Sequence, residues 1–173
     1  MGETASVHRH RAHAPQQVPC AVVTVSDTRT LADDSGGALL CSLLEAAGHP
    51  VAERLLVHDD VAEIGAALDA LLARDDCAAV LLTGGTGVAP RDVTPEAVAV
   101  RLDRTLPGFG ELFRQLSFAE IGAAAMVSRA LAGIARGKPV FALPGSRGAI
   151  RLALEQLILP ELGHLVGEAR KRG

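Results

Sequence analysis

The sequence predicts a single α/β domain built on a doubly wound, mostly parallel sheet. Three observations predict it. Short apolar runs such as Cys20-Ala-Val-Val-Thr-Val25 and Ala78-Ala-Val-Leu-Leu82 have strand length and no polar alternation, as in strands buried on both faces. Between such runs lie segments with apolar residues at helical spacing, and strands alternating with helices imply right-handed crossovers. The composition agrees: of 173 residues, 49% are hydrophobic but only 2% aromatic, with no Trp or Tyr, so the core is made of Ala, Val, Leu and Ile. That length suits one domain.

Residues 1–17 read as a disordered, basic, His-rich tail, carrying Val7-His-Arg-His-Arg-Ala-His13 and then Pro15. The alternative is that its three histidines touch a metal. The domain, 18–173, opens with the strand at Cys20-Ala-Val-Val-Thr-Val25. Asp34 or Ser35 caps a helix whose Leu39, Leu40, Leu43, Leu44 and Ala47 recur at helical spacing, and Gly48 stops it. His49, just beyond, reads as structural. Val51 to Val57 is the next strand. Asp60 with Glu63 resembles a capping box, and Ile64, Leu68, Leu71 and Leu72 line one helix face. After the strand at Ala78-Ala-Val-Leu-Leu82, Thr94 as cap and Pro95 at the first helical position mark a helix start. Helical stretches are expected from about 110 through 135. Lys138-Pro-Val-Phe-Ala-Leu143 is a strand. Ile150, Leu154, Leu157 and Ile158 mark a helix ended by Pro160, followed by a short helix.

A net charge of −3 creates no field for nucleic acid, and without Trp or Tyr there is no platform for stacking bases. No run approaches the length of a membrane span, and the N-terminus carries no apolar stretch of signal-peptide type, so a cytoplasmic protein is expected. Cys20, Cys41 and Cys77 lie far apart without metal spacing and read as small buried hydrophobes.

In an open parallel sheet, ligands sit beyond the carboxyl ends of the strands. That rule selects Ser26-Asp27-Thr28-Arg29, His58-Asp59-Asp60, Thr83-Gly84-Gly85-Thr86-Gly87 and Pro144-Gly145-Ser146. The glycine loop lets successive N–H groups face one anion, but no Lys-Ser or Lys-Thr follows, so this is not a P-loop. A tight turn without ligand is the alternative. If Asp60 and Thr94 cap their helices, Asp59 and Asp92 have no structural task, and two such carboxylates can share a Mg²⁺ carrying nucleotide phosphates; solvated loop acids are the alternative. Arg91 and Arg129 can neutralise phosphate, and Ser128 and Ser146 can bond ligand, against ordinary surface and capping roles. Pro107-Gly108-Phe109-Gly110 is either a rigid pocket wall or a helix boundary.

Taken together in this order, Ser26-Asp27-Thr28-Arg29, Asp34-Ser35-Gly36, Gly48-His49, Thr83-Gly-Gly-Thr-Gly-Val-Ala-Pro-Arg-Asp-Val-Thr-Pro-Glu-Ala97, Pro107-Gly-Phe-Gly-Glu-Leu-Phe-Arg114, Ser128-Arg129-Ala130 and Leu143-Pro-Gly-Ser146 resemble the molybdenum cofactor biosynthesis B and molybdopterin adenylyltransferase family, over about residues 18–166. Leu116-Ser-Phe-Ala-Glu-Ile-Gly122 is similar to its bacterial B-type branch. The resemblance implies a three-layer α/β/α fold, a homotrimer or homohexamer, and Mg²⁺-dependent adenylylation of molybdopterin by ATP ahead of a downstream molybdate-inserting protein. Asp59 and Asp92 match the family's functional aspartates, with Asp60 the alternative to Asp59. It implies molybdopterin or phosphate binding by Ser26, Thr83, Gly84, Gly85, Thr86, Gly87, Ser128, Pro144, Gly145 and Ser146, and nucleotide binding by Asp27, Arg91 and Arg129. Two other readings compete: a non-catalytic molybdopterin carrier or assembly partner, and a nucleotide-related hydrolase like the competence/damage-inducible proteins.

Overall fold

The computed structural model describes residues 15–171, so the expectation for the tail lies almost wholly outside them. Strands β1 (Cys20–Val25), β2 (Val51–Val57), β3 (Ala79–Thr83), β4 (Arg104–Thr105), β5 (Leu131–Ala135) and β6 (Lys138–Leu143) form one six-stranded sheet in the order β2-β1-β3-β6-β5-β4. β2, β1, β3 and β6 are parallel; β5 and β4 run antiparallel to their neighbours. The helices are α1 (Ser35–Ala46), α2 (Val61–Leu72), α3 (Thr94–Ala99), α4 (Pro107–Ile121), α5 (Arg147–Ala153) and α6 (Leu159–Arg170).

The two-residue repeat of the strands divides the core. Val22, Leu81, Phe141 and Leu143 face one side, against Leu40 and Leu44 of α1, Phe113 of α4, Ile150 of α5 and Leu162 of α6. Val23, Val25, Val80, Leu82 and Ala142 face the other, against Ile64, Leu68 and Leu71 of α2 and Val98 of α3. The three-layer, mostly parallel fold expected from the resemblance is therefore the observed one.

Several local expectations change. Leu131–Ala135, read as helix, is β5, joined to β6 by the two-residue turn Arg136–Gly137, with φ of 49° and 73°. Positive φ at both positions is what a tight hairpin requires. Thr94 is not a cap: the α3 cap is Val93, and no side chain bonds there. Asp60 does cap α2, accepting from Ala62 and Glu63 N–H, but the Glu63 carboxylate reaches the N–H of His58 at 3.1 Å instead of closing the box. Pro160 does not end its helix. It lacks the N–H that an unbroken α-ladder would use, and the chain widens into a π-turn at Leu154–Ile158 before continuing through the 12 residues of α6.

The first helix is anchored by Asp34, the cap that the structure selects over Ser35. Its carboxylate accepts from Gly37 N–H at 2.9 Å, the Thr24 hydroxyl at 2.7 Å and Arg54 at 2.9 Å. Burial works to raise its pKa, but those donors outweigh burial and hold it below the ordinary carboxylate value. Cys20 and Cys77 are buried, with thiols directed at the Val18 and Ala79 carbonyls, and burial, with Cys77 adding to it, pushes Cys20 up to about 12.

His49 has the structural role expected of it. It is buried, its Nδ1 accepts the Val18 N–H at 3.1 Å, and burial lowers its pKa. The unfolded chain therefore takes up a proton at a higher pH than the native state. The stability His49 provides is complete above the ordinary imidazole value of about 6.5 and is lost as pH falls through the lower native value. Melting temperature is expected to drop between pH 7.5 and 5.5, and His49→Gln, which keeps an acceptor but cannot titrate, to flatten that slope. Equal slopes for the two proteins in calorimetry would refute the assignment.

Candidate active site

The parallel strands β1, β2, β3 and β6 deliver their following loops to one rim of the sheet. The loop after β3 is bent by Gly84 (φ 103°) and Gly85 (φ 61°), a conformation that disfavours residues with a Cβ. Gly84 N–H donates to the Leu143 carbonyl at 3.0 Å, and the Thr83 hydroxyl donates to the Pro144 carbonyl at 3.2 Å, tying this loop to the one after β6. The Thr83 hydroxyl is thereby engaged within the protein, whereas Thr86 borders a cavity of about 390 Å³. Gly84, Gly85, Gly87, Ser128 and the Pro144-Gly145-Ser146 turn border the same cavity. Ser146 also caps α5, accepting from Ala149 N–H at 3.3 Å.

Beside it lies a smaller polar hollow of about 160 Å³, lined by Ser26, Asp27, Asp59, Gly85, Arg91 and Asp92. Asp59 and Asp92 thus face one space, and Asp92 and Gly85 border both cavities. The backbone explains why Asp59, and not Asp60, points there. Asp60 is held by the first turn of α2, while Asp59 N–H donates to Asp27 Oδ1 at 2.9 Å and its own Oδ1 accepts the Val93 N–H at 3.1 Å. Burial, then the Asp92 and Asp27 carboxylates, raise the Asp59 pKa against the opposing pull of Val93 N–H. Asp92 keeps one oxygen on the Ala89 N–H at 2.8 Å. Among the described residues, no three His, Cys, Asp or Glu side chains are grouped to hold a metal unaided. A hard cation here would draw its remaining oxygens from phosphate or water, as Mg²⁺ usually does.

Arg129, expected on nucleotide, bonds the glycine loop and is not among the residues that line either cavity. Its backbone N–H donates to Thr86 O at 3.1 Å, its Nε to Gly87 O at 2.6 Å and its Nη2 to Asp92 O at 2.5 Å, and Nη1 pairs with Glu96. All of these partners belong to the protein, so its observed contacts brace the glycine loop against Asp92. Arg129→Ala is expected to cost about 1–3 kcal/mol, mostly from the two carbonyl bonds since the Glu96 pair is solvated. Arg129→Lys should not rescue it, because one ammonium cannot replace a planar fork. Urea unfolding measures both.

The far wall of the larger cavity was not foreseen. It consists of Phe113, Ser117 and Ile121 from α4, with Ala124, Ala125 and Val127 from the 3₁₀ turn Gly122–Val127. The four-residue spacing of Phe113, Ser117 and Ile121 was the available signal. Pro107-Gly108-Phe109-Gly110 is not part of that wall. Pro107 begins α4, and the segment borders grooves lined by other residues, including Leu106.

A glycine loop and an acid-lined hollow on one rim make this a ligand-binding doubly wound domain, and the family model described as a probable molybdopterin binding domain matches residues 21–164. The chain belongs to that family, in its molybdenum cofactor biosynthesis B branch. It is 52% identical over 167 residues to molybdenum cofactor biosynthesis protein B of Halalkalibacterium halodurans, covering 96% of this chain and 98% of that protein. A crystal structure of a molybdenum cofactor biosynthesis protein B superposes with a TM-score of 0.89 at 50% identity, over 92% of this chain and all of that one (100%). The tungsten cofactor synthesizing protein MoaB from Pyrococcus furiosus follows at 0.83 and 36% identity, over 91% of this chain and 100% of that one. A CinA protein from Thermoplasma acidophilum, at 0.59 and 22% identity, shares the fold alone. By family, the role of this protein is in molybdenum cofactor biosynthesis. No helix among the described residues is long and apolar enough to cross a membrane.

Proposed function

We propose that this chain binds molybdopterin in the larger cavity and transfers an adenylyl group to its terminal phosphate from ATP, giving adenylyl-molybdopterin and pyrophosphate. The observation that carries this reading is that Asp59 and Asp92 face one hollow which adjoins the glycine-loop cavity through Gly85 and Asp92. A phosphate-binding cavity joined to a carboxylate-lined one suits two phosphorylated substrates meeting end to end. An oxygen of the ionised pterin phosphate forms a bond to the α-phosphorus of ATP. The bond from that phosphorus to the bridging oxygen breaks, and its electron pair leaves with pyrophosphate. Little covalent chemistry falls to the protein, so alignment and charge neutralisation supply the rate. The glycine loop and Ser128 hold the pterin phosphate, while Ser26, Asp27 and Arg91 border the nucleotide end. Asp59 and Asp92 are the residues that would hold Mg²⁺, a cation their hard oxygens fit, and when bound it supplies neutralisation of phosphate charge.

The test is incubation of purified protein with molybdopterin, ATP and Mg²⁺, with chromatography of the products. Adenylyl-molybdopterin supports the proposal. Tight pterin binding with no product, beside an active control enzyme, replaces it by the carrier reading. Assembly as a trimer or hexamer, residence in the cytoplasm and hand-over to a molybdate-inserting partner belong to the same proposal; sedimentation measures the first.

A further inference from the structure

Thr94 is wholly buried, and its hydroxyl oxygen has no hydrogen-bond partner. An unpaired buried hydroxyl is costly, and valine would fill the same space without that cost. The contacts of Gly85 show what the hydroxyl faces. A Cβ built on Gly85 would lie 2.4 Å from Thr94 Oγ1 and 2.6 and 2.7 Å from the two Asp59 oxygens. The hydroxyl and the carboxylate therefore flank one point, on a residue that itself lines the acid-lined hollow, and no hydrogen bond joins them in the ligand-free protein. Nothing else local claims the hydroxyl: Thr94 N–H donates to Gly85 O at 3.1 Å, and α3 takes no side-chain cap. Asp59 Oδ1 is already held from the same turn, by Val93 N–H.

We propose that Thr94 is a positioning residue for Asp59: when that carboxylate holds a divalent cation in the hollow, the Thr94 hydroxyl donates to it together with Val93 N–H and so fixes its orientation. Donors behind a metal-binding carboxylate fix its orientation, and removing one weakens metal affinity about 10–100-fold. The inference rests on the cation reading of the acids but not on turnover.

The experiment titrates Mn²⁺ alone into the full chain, read by electron paramagnetic resonance, with a melting curve of each cation-free protein. Thr94→Val is expected to melt no lower than wild type yet bind Mn²⁺ about tenfold or more weakly. Thr94→Ser, which keeps the hydroxyl, restores affinity. Wild-type binding that Asp59→Asn abolishes and Thr94→Val leaves intact overturns this inference alone. A Thr94→Val protein that melts several degrees lower, rescued by Ser, overturns it in favour of a structural bond. If wild type and Asp59→Asn show the same Mn²⁺ binding, or neither binds, the cation reading falls and this inference with it.

Discussion

Asp59→Asn is expected to remove the proposed adenylyl transfer while making the ligand-free protein more resistant to heat. Both effects have one source. Burial and the neighbouring Asp92 and Asp27 carboxylates raise the Asp59 pKa in the native state. A raised native pKa means that the group adds stability only below the ordinary carboxylate value of about 3.9, and that this is lost as pH rises through the native value. At neutral pH the ionised side chain is therefore a burden on the empty protein. Asparagine keeps an oxygen for the Val93 N–H, which Asp59 Oδ1 accepts at 3.1 Å, and removes the charge. Melting temperature at pH 7.5 should rise, and the gain should shrink as pH falls towards 4. Turnover should fall about 100- to 1000-fold, the scale of losing a preorganised electrostatic contact at a reacting phosphate. Asp92→Asn should lose turnover likewise, with molybdopterin binding retained. An Asp59→Asn protein with wild-type adenylyl transfer, or one that melts lower, would contradict the argument.

Gly84→Ala should damage the fold itself. Gly84 has φ of 103°, and a Cβ there would lie 2.2 Å from the backbone oxygen of Val25 at the end of β1. No rotamer change relieves a clash with backbone. Strained φ and overpacking together are expected to cost about 3–5 kcal/mol, lowering the melting temperature by about 10 °C. Gly148→Ala is the control. It lies in α5, its Cβ would meet nothing within 4 Å, and a gain of about 0.5–1 kcal/mol is expected from helix propensity. Circular dichroism melts decide; equal behaviour of the two variants would refute the role given to the turn.

The strands of the parallel core were legible because their pattern is chemical. Cys20–Val25, Val51–Val57 and Lys138–Leu143 were read with the bounds they have. β5 was not legible. Leu-Ala-Gly-Ile-Ala is poor in β-branched residues and its Arg136–Gly137 turn is not the usual Asn-Gly. What makes it a strand is non-local: pairing with β6, and Gly133, whose missing Cβ lets β4 approach, since one would lie 2.5 Å from Arg104 O.

Local order alone determined the alternation of the parallel strands with their helices, the cap at Asp60, and the loops that a parallel sheet must place on its carboxyl rim, because those follow from residue type and spacing within a few positions. Tertiary structure alone decided that Asp59 and Asp92, 33 positions apart, share a hollow, that Arg129 turns its fork to the protein, and that α4 and the 3₁₀ turn close the cavity. These are contacts between segments distant in the chain, and their geometry is set by how layers pack rather than by what any one segment prefers.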